Sequence, residues 1–424
     1  MELEQLHRLF LQHPKISTDT RKIEKDSIYF ALKGPNFNGN SFVREALDKG
    51  AVYAIIDEGE FHMGDSTILV DDVLETLQKL GTYHRNHCKA KVISLTGSNG
   101  KTTTKELINA VLSKKYNTIA TQGNLNNHIG VPLTLLTITE DTEIAIVEMG
   151  ANHQKEIEFL SGLSQPDFGY ITNFGKAHLE GFGGLEGVIK GKSELYEYLL
   201  SNNRHVFLNA DDPIQKEKLA AYVKKFGFSQ GHHEFYNITF LGASPFVEIQ
   251  FEGTKIRTQL TGAYNFPNSA VAILIGKYFN IDNATIKDAL ESYIPNNNRS
   301  QILRKKGHKI VLDAYNANPT SMQAALESFL KMDGNEKAIF LGDMFELGEA
   351  AEKEHQYIAD LALSLGFKNV YLVGANFAKT KTDFQQFNSF DILKNSLDFS
   401  KLPKGTTLIK GSRGMAMERI LELL

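Results

Sequence analysis

The pattern of apolar and polar positions divides the chain into three stretches. In the first 80 residues, the apolar runs SIYFAL, AVYAIID and STILVDD are typical of strands. The segment ALKGPNFNGNSF, rich in glycine and asparagine, lies between the first two runs and predicts a loop. Leu74, Leu77 and Leu80 then recur at helical spacing, which predicts a helix over residues 73–90.

From Lys91 onward, strand-like runs alternate with helical patterns. VISLTG, IAIVEM, FGYITN and HVFLNA are each followed by polar or glycine-containing residues and then by a helix-like stretch. Such alternation predicts a mostly parallel sheet with helices on both faces. Strict alternation between Glu234 and Leu260, as in TKIRTQL, predicts a local antiparallel ribbon. A last α/β unit is expected after Pro295, with strands KIVLDA, KAIFLGD, NVYLVG and TTLIKG. We therefore predict three α/β domains, at residues 1–83, 84–295 and 296–424.

Composition narrows the class of protein. The 424 residues are 42% hydrophobic and 23% charged, which is average for a soluble globular protein. The net charge of -4 and the absence of a long lysine or arginine run argue against a nucleic-acid or anionic-membrane partner. Cys88 is the only cysteine, and the first residues lack the pattern of a secretory signal. No apolar run approaches the roughly 20 residues that cross a bilayer. We expect a cytoplasmic protein that does not insert into the membrane and binds no nucleic acid.

Polar residues follow several of the predicted strands at their carboxyl ends. They come from both the central and the last α/β units: Glu148, Asn173, Asn209, Asp313, Asp343 and Lys410. Any one of them can be the ordinary polar end of a strand. Because ligands of open α/β sheets bind at this edge, the six together predict two sheets that face one cleft.

The stretch SLTGSNGKTTTK, residues 94–105, resembles a phosphate-binding loop of unusual length. The common pattern G-x-x-x-x-G-K-[ST] requires glycine at position 95, where this chain has leucine, and Gly97 and Gly100 are only three apart. The stretch nevertheless follows a strand and opens a helix, the context in which backbone N–H groups hold phosphate oxygens. Lys101 is then expected to neutralise phosphate charge, and the Thr102 hydroxyl to hold Mg²⁺.

Other candidate residues are ambiguous when taken singly. Glu148 and His178 are possible metal ligands near strand ends, although a lone histidine is more often structural. Lys192 has the pattern of a solvated helix lysine, and nothing in the residues favours it over Lys190. The remaining candidates either bind a polar ligand or cap and turn the chain; they are Asn124, Asn126, Asn127, Asn265, Asn268, Tyr315, Asn316, Asn318 and Arg413.

Taken in order, these stretches resemble the Mur ligases, the ATP-dependent amide-forming enzymes of peptidoglycan synthesis. TGSNGKTT is similar to that family's shortened phosphate loop, and NLNNHIGVPLTLL, EMGANHQKEI, ITNFGKAHLEGFG and NADDP match in sequence order. YNANPTSMQAAL, LGDMFELGE and KGSRGMAME resemble the branch that adds D-alanyl-D-alanine to UDP-N-acetylmuramoyl-tripeptide. STDTRKIEKDSIYFALKGPNFNGNSF is similar to a uridine-nucleotide-binding segment. The resemblance covers nearly the whole chain.

The resemblance implies a uridine-nucleotide-binding N-terminal domain, a central P-loop ATPase domain and a Rossmann-like C-terminal domain that closes over ATP and binds the D-alanyl-D-alanine acceptor. It implies two Mg²⁺ ions, with Thr102, Glu148, His178 and a carbamylated Lys192 as protein ligands. It also implies a catalytic role for Lys101, His178 and Lys192. The implied nucleotide contacts are Gly97, Ser98, Asn99, Gly100, Lys101, Thr102, Thr103, Asn268, Arg299, Asp313, Tyr315 and Asn316. The implied substrate contacts are Ser17, Thr18, Asp19, Arg21, Asn126, Asn127, Asn318 and Arg413.

The implied reaction passes the ATP γ-phosphoryl group to a substrate carboxylate, and the amine of D-alanyl-D-alanine attacks the resulting acyl phosphate. We expect a monomer.

Two other interpretations of the function are consistent with the central motifs. One is a related ligase, either the Mur ligase that adds the third amino acid or folylpolyglutamate synthase, and the YNANP and LGDMFELGE stretches argue against both. The other is a P-loop ATPase without an amine acceptor.

Overall fold

A computed structural model describes residues 2–334 and 336–424. The N-terminal unit contains a parallel sheet of strand order β1-β2-β5-β6 and a short antiparallel hairpin, β3-β4. Apolar residues from α1, α3 and this sheet form one core, and the long helix α3 also packs on α5 of the next unit. The domain boundary predicted after residue 83 falls inside α3. The elements are α1 (Leu3–Gln12), β1 (Lys15–Ser17), β2 (Ser27–Phe30), β3 (Lys33–Gly34), β4 (Phe37–Asn38), α2 (Val43–Asp48), β5 (Ala51–Ile56), β6 (Thr67–Leu69) and α3 (Val73–His87).

The central unit contains a parallel sheet of strand order β13-β12-β11-β10-β7-β9-β8. Alternate residues of its strands enter two separate cores, one against α4 and α10 and the other against α5, α6 and α8, so helices cover both faces as predicted. The elements up to β12 are β7 (Lys91–Thr96), α4 (Lys101–Leu112), β8 (Thr118–Ala120), α5 (Gly130–Leu135), β9 (Ile144–Glu148), α6 (Glu156–Ser164), β10 (Phe168–Ile171), α7 (Leu179–Phe182), α8 (Leu185–Ser201), β11 (His205–Asn209), α9 (Pro213–Lys218) and β12 (Lys225–Ser229).

The predicted antiparallel ribbon is present as a separate sheet of order β14-β15-β16, packed against the central core. Burial alternates along β15, where every second side chain faces that core. The elements here are β13 (Tyr236–Asn237), β14 (Thr239–Ala243), β15 (Phe246–Phe251), β16 (Thr254–Thr261), α10 (Phe266–Tyr278) and α11 (Asn283–Ser292).

The C-terminal unit contains a sheet of order β17-β18-β22-β19-β20-β21, in which β17 alone runs antiparallel to its neighbour among the strands described. Helices α12 and α13 cover one face, and α14 and α15 cover the other. The elements are β17 (Gln301–Lys305), β18 (His308–Asp313), α12 (Pro319–Leu330), β19 (Lys337–Gly342), α13 (Ala351–Ser364), β20 (Asn369–Val373), β21 (Gln385–Phe387), α14 (Phe390–Ser396), β22 (Thr406–Lys410) and α15 (Ile420–Leu423). The three units together form a three-domain α/β architecture. Across the residues that the structure describes, every helix is too short or too polar to traverse a lipid bilayer.

Candidate nucleotide and ligase site

The shortened loop between β7 and α4 depends on glycine at two positions. Gly97 and Gly100 have φ angles of 141° and 81°, which L side chains rarely adopt. A Cβ atom on Gly97 would lie 2.0 Å from the Thr172 hydroxyl oxygen, and one on Gly100 would lie 2.7 Å from the Asn268 amide oxygen. Both glycines therefore let the loop pass close to neighbouring side chains before α4 begins at Lys101.

Asn99, at the middle of this loop, is held from two sheets. Its backbone N–H donates to the Asn173 side-chain oxygen at 3.0 Å, and its carbonyl accepts from Thr172 Oγ1 at 2.6 Å and from Asn173 Nδ2 at 3.0 Å. From the C-terminal unit, Asn318 Nδ2 donates to Asn99 Oδ1 at 2.7 Å. Asn318 also caps α12 by accepting from the Ser321 N–H at 2.9 Å. The conformation of the loop is thus coupled to the position of the C-terminal unit.

The ammonium group of Lys101 folds back across the loop and donates to the Gly97 carbonyl at 2.7 Å. Desolvation lowers the pKa of Lys101, an effect that Glu148 opposes and Arg299 reinforces. The Arg299 guanidinium stacks 3.7 Å above the Tyr315 ring, and its Nε is buried without a hydrogen-bond partner. Two cations close to one loop form an environment that a phosphate chain would neutralise.

Glu148 ends β9 with its carboxylate buried beside the loop. One of its oxygens accepts from Asn126 Nδ2 at 2.8 Å, while the other is buried without a hydrogen-bond partner. Buried carboxylate oxygens rarely lack a partner, so this atom is suited to a cation. His178 Nδ1 lies next to the Glu346 carboxylate of the C-terminal unit, and this contact lowers the pKa of Glu346. Within residues 2–334 and 336–424, no three His, Cys, Asp or Glu side chains converge as a ready-made metal cluster, so phosphate and water oxygens would have to complete the shell.

The structure distinguishes Lys192 from Lys190. Lys190 is exposed, whereas Lys192 is fully buried, with its Nζ donating to the Ala151 carbonyl at 3.0 Å and lying 4.8 Å from the Phe182 ring centre. Burial, with a smaller contribution from Lys101, holds the pKa of Lys192 well below its usual range. The amine therefore lies just behind the wall that Ala151 contributes to the cavity, in surroundings that disfavour its charged form.

On the opposite side, the carboxyl edge of the C-terminal sheet contributes Asp313 and Lys410. Their side chains pair at 2.5 Å, and Asp313 also accepts from the Ser300 N–H at 3.2 Å. Lys410 is almost fully buried, so this pair orients Asp313 without exposing its cation. Asn316 accepts from the Ala317 N–H, which fixes the turn before α12.

These groups surround one cavity of about 980 Å³ between the two units. Most of the site residues predicted from the sequence line it: Ser98, Asn99, Gly100, Lys101, Thr102, Thr103, Asn126, Asn127, Glu148, His178, Asn268, Arg299, Asp313, Tyr315, Asn316 and Asn318. Those that do not line it are Gly97, Lys192, Arg413, Ser17, Thr18, Asp19 and Arg21.

Two of the polar residues at strand ends, which were expected to face one cleft, form structural hydrogen bonds instead. Asn209 accepts from the Asp211 N–H, and Asp343 accepts from the N–H groups of Asn376 and Phe377.

Several predicted contacts also have structural partners. Asn127 accepts from the N–H groups of Ile129 and Gly130 at the start of α5. Asn268 accepts from Thr104 Oγ1 at 3.0 Å and donates to Asn265 at 2.9 Å, which leaves one amide hydrogen free. The side-chain amides of Asn127 and Asn268 therefore help to hold the residues of the cavity wall in place.

The N-terminal candidates form a separate local network at the end of β1. Asp19 accepts from the N–H of Arg21 at 3.0 Å and from its guanidinium at 2.8 Å, and these bonds lower the pKa of Asp19 to about 2. Ser17 Oγ donates to the Asp19 carbonyl at 3.0 Å.

Arg413, in the C-terminal unit, is exposed. It pairs with Glu418 at 3.0 Å, and its guanidinium lies 5.9 Å from the Tyr315 ring centre.

The sequence reasoning missed a set of contacts between the two units. The Lys176 N–H donates to Thr320 Oγ1 at 2.9 Å, and the Lys176 ammonium pairs with the buried Glu354 carboxylate at 2.6 Å. Thr320 lies within the stretch YNANPTSMQAAL, but nothing in that stretch marks it as a contact, and Glu354 lies outside the motifs described above. Asn173, by contrast, was identified from the sequence as a polar residue at the end of a strand. Its hydrogen bonds to Asn99 show that Asn173 holds the phosphate loop.

A phosphate loop on a parallel sheet, facing the carboxyl edge of a second α/β sheet across one cavity, defines a P-loop nucleotide-binding enzyme with an attached α/β domain. Family models match two regions, the Mur ligase middle domain at residues 95–276 and the Mur ligase, glutamate ligase domain at residues 298–396. The chain belongs to the Mur ligase family.

Individual relatives match over nearly the whole chain. The chain is similar to UDP-N-acetylmuramoyl-tripeptide–D-alanyl-D-alanine ligase from Bacillus subtilis, with 33% identity over 96% of this chain and 92% of the relative. The same-named enzyme of Escherichia coli is 32% identical over 96% of this chain and 93% of the relative. Among solved structures, MurF from Acinetobacter baumannii superposes with a TM-score of 0.85 at 30% identity, covering 99% of this chain and 97% of the other. MurF ligase from Thermotoga maritima in complex with ADP has a TM-score of 0.84 at 26% identity, with 97% coverage of both chains.

Proposed function

We propose that this chain is an ATP-dependent ligase that adds D-alanyl-D-alanine to UDP-N-acetylmuramoyl-tripeptide. The observation that carries the proposal is the single cavity shared by the phosphate loop and the C-terminal sheet, with Asn318 bonded to Asn99 across it. The relatives in Bacillus subtilis and Escherichia coli bear the name of this reaction, and the Thermotoga maritima structure holds ADP. The reaction supplies the UDP-linked pentapeptide precursor for peptidoglycan.

In the proposed mechanism, the protein positions and neutralises charge. A carboxylate oxygen of the tripeptide attacks the ATP γ-phosphorus, the bond to the ADP oxygen breaks, and an acyl phosphate forms. The D-alanyl-D-alanine amine attacks the acyl carbon, loses its proton, and expels phosphate. Lys101 and the loop N–H groups stabilise the charge spread over the phosphoryl oxygens. Contact between the two units shields the acyl phosphate from water.

The donor set is suited to Mg²⁺, because Glu148 offers an unpartnered buried oxygen and Thr102 lies at the first turn of α4. We assign Thr102, Glu148 and His178 as its protein ligands, with a carbamylated Lys192 as a further one. Bound Mg²⁺ would neutralise phosphate charge. The neutral amine of Lys192 is the form that adds to CO₂, giving a carbamate and releasing one proton. Its carbon should appear as a carbamate signal in a ¹³C spectrum of protein supplied with labelled bicarbonate, and Lys192→Arg should lack that signal.

The remaining assignments follow the cavity and its surroundings. We assign nucleotide contacts to Asn268, Arg299, Asp313, Tyr315 and Asn316, in addition to the loop. We assign residues 1–83 to the UDP-linked substrate, through Ser17, Thr18, Asp19 and Arg21. Residues 84–295 are assigned to ATP and residues 296–424 to closure and the acceptor, with Asn126, Asn127, Asn318 and Arg413 on the substrate side. We propose a cytoplasmic monomer.

Phosphate release tests the function directly. The protein should release phosphate from ATP only when UDP-N-acetylmuramoyl-tripeptide and D-alanyl-D-alanine are both present. Dependence on a diamino acid acceptor, or on glutamate and a folate, would instead identify a related ligase. Hydrolysis that needs neither substrate would identify a P-loop ATPase and overturn the proposal.

A further inference from the structure

The loop between β19 and α13 of the C-terminal unit packs directly on the region around His178 in the central unit. At this contact the Glu180 N–H donates to the Glu346 carbonyl at 3.4 Å. Leu179, next to His178 in the chain, packs against the apolar cores of both units. The side chain of Glu346 is thereby brought against the ring of His178.

Both residues at this contact have a left-handed backbone conformation. The φ angle is 53° at His178 and 62° at Glu346. Residues other than glycine adopt this conformation infrequently, and it persists only where the surrounding structure imposes it, commonly at functional sites. The contact is therefore made by two residues whose backbones are held in an unfavourable conformation by their surroundings.

The chain just before Glu346 is firmly held within the C-terminal unit. The Phe345 N–H donates to Ser412 Oγ at 3.0 Å. The Met344 N–H donates to Nε2 of the buried His355 ring, also at 3.0 Å. The C-terminal unit therefore fixes the point from which the Glu346 side chain reaches across to the central unit.

The His178 ring lines the ligase cavity, and its Nδ1 atom lacks a hydrogen bond. Nδ1 is buried next to the Glu346 carboxylate, but the two groups are not aligned as a hydrogen bond in this structure. Among the described residues, Glu346 is the only carboxylate that contacts this ring. A histidine that binds a metal through one ring nitrogen almost always donates a hydrogen bond from the other, often to a carboxylate. Glu346 is thus in the place where such an acceptor is required.

We propose that Glu346 is a positioning residue for the metal site: it accepts a hydrogen bond from the Nδ1–H group of His178, so that Nε2 is presented to Mg²⁺. The proposal rests on the assignment of His178 as a metal ligand. The carboxylate orients the imidazole, fixes its tautomer and makes the ligating nitrogen more basic. Because Glu346 belongs to the C-terminal unit, it supports the ligand only while the two units are in contact. Metal binding and closure are then thermodynamically linked.

Metal affinity tests this role separately from catalysis. Mn²⁺ replaces Mg²⁺ as the probe, since both ions prefer oxygen-rich sites of this kind. Free Mn²⁺ is measured by electron paramagnetic resonance in solutions of the full chain with ADP, after subtraction of binding to ADP alone. The variants are Glu346→Ala and Glu346→Gln. The matched control is Glu349→Ala, which removes the same charge from an exposed glutamate of the same loop that forms no ion pair in the described residues.

Glu346→Ala should weaken Mn²⁺ binding about tenfold, at the low end of the range for such partners, because the Glu346 side chain is half exposed. Glu346→Gln should lose less affinity, since its amide oxygen can still accept the hydrogen bond. The Glu349→Ala control should bind Mn²⁺ as the wild type does. In a protein that already carries His178→Ala, adding Glu346→Ala should cause no further loss, because the interaction is already absent.

ADP binding in the presence of EDTA separates this role from a general effect on closure. Without metal, the affinity for ADP should stay within twofold in Glu346→Ala. A metal-free loss of ADP affinity as large as the loss of Mn²⁺ affinity would show that Glu346 acts through closure alone and would overturn the proposal. Unchanged Mn²⁺ affinity in Glu346→Ala, or the same loss with and without His178, would also overturn it. Unchanged Mn²⁺ affinity in His178→Ala would remove the ligand assignment and this proposal together, whereas the substrate dependence of phosphate release tests the ligase reaction by itself.

Discussion

The ion pair between Lys176 and Glu354 should control how readily the central and C-terminal units close on the ligase cavity. Lys176 belongs to the loop after β10 and Glu354 to α13, and their atoms are 2.6 Å apart. The Glu354 side chain is 7% exposed and that of Lys176 is 45% exposed. Because the two residues come from different units, the pair exists only while the units touch. Lys176→Met removes the charge and keeps most of the apolar stem.

The structure bounds the size of the effect. Breaking a fully buried pair costs about 3–5 kcal/mol, because it leaves an unpaired buried charge. A fully exposed pair contributes about 0–1 kcal/mol. Here one partner is buried and the other is nearly half exposed, so we expect about 1–2 kcal/mol. At 1.4 kcal/mol per factor of ten, closure becomes about 5- to 30-fold less favourable.

Steady-state phosphate release measures this effect. If closure precedes phosphoryl transfer, kcat/KM for the acceptor should fall by about 5- to 30-fold in Lys176→Met. Binding of the UDP-linked substrate, measured by calorimetry without ATP, should stay within twofold. Lys190→Met is the matched control, since Lys190 is an exposed lysine with no ion pair in the described residues, and its kinetics should equal those of the wild type.

A double-mutant cycle separates the pair from other effects of each substitution. Glu354→Gln should cost a similar factor, and adding Lys176→Met to Glu354→Gln should cost little more, because the interaction is already lost. Wild-type kinetics in Lys176→Met, or fully additive losses in the double variant, would refute the idea that this pair stabilises closure.

Three further outcomes test other parts of the molecule. Lys101→Ala should reduce ligation at least 100-fold while leaving UDP-substrate binding within twofold, because its ammonium serves the phosphate loop; near-normal turnover would contradict that role. Gly97→Ala should weaken ADP binding at least tenfold in calorimetry, because its Cβ would lie 2.0 Å from the Thr172 oxygen, whereas Gly162→Ala has open space on a helix and should bind ADP normally. Burial lowers the pKa of His7 to about 4, so the folded state takes up its proton later than the unfolded state as pH falls. Stability should therefore drop between about pH 6.5 and 4, by at most about 3 kcal/mol from this group. In His7→Phe, the free energy of unfolding, measured by denaturant titration at several pH values, should fall less steeply between about pH 6.5 and 4 than in the wild type. The same dependence on pH in both proteins would count against this role of His7.

Most of the fold could be predicted because burial follows the sequence pattern directly. The strands of the central sheet are buried on both faces and read as continuous apolar runs, as at Ile144–Glu148. The strand Gln301–Lys305 was missed because it lies at an edge and is only partly buried, so its apolar signal is weak. Predicted helix 73–90 ends earlier, at His87, where Cys88 takes an extended backbone conformation.

The sequence predicted the candidate site only where its residues are consecutive in the chain. The phosphate loop is such a stretch, because strand, loop and helix are consecutive. Lys192 could not be separated from Lys190, since two positions on a helix differ in environment only after the helix packs. The contacts of Thr320 and Glu354 with the central unit depend on how two different sheets pack against each other, which no local pattern encodes.

The short loop is explained by what surrounds it. A longer phosphate loop can supply more of its own backbone donors, whereas here Thr172, Asn173 and Asn318 fix the conformation of Asn99 from outside. One of those three belongs to the C-terminal unit, so ordering of the loop and closure of the cavity are thermodynamically linked. By reciprocity, a nucleotide that orders the loop must favour closure by the same factor by which closure favours the nucleotide. The shortened loop thus makes nucleotide binding responsive to the domain that we propose delivers the acceptor amine.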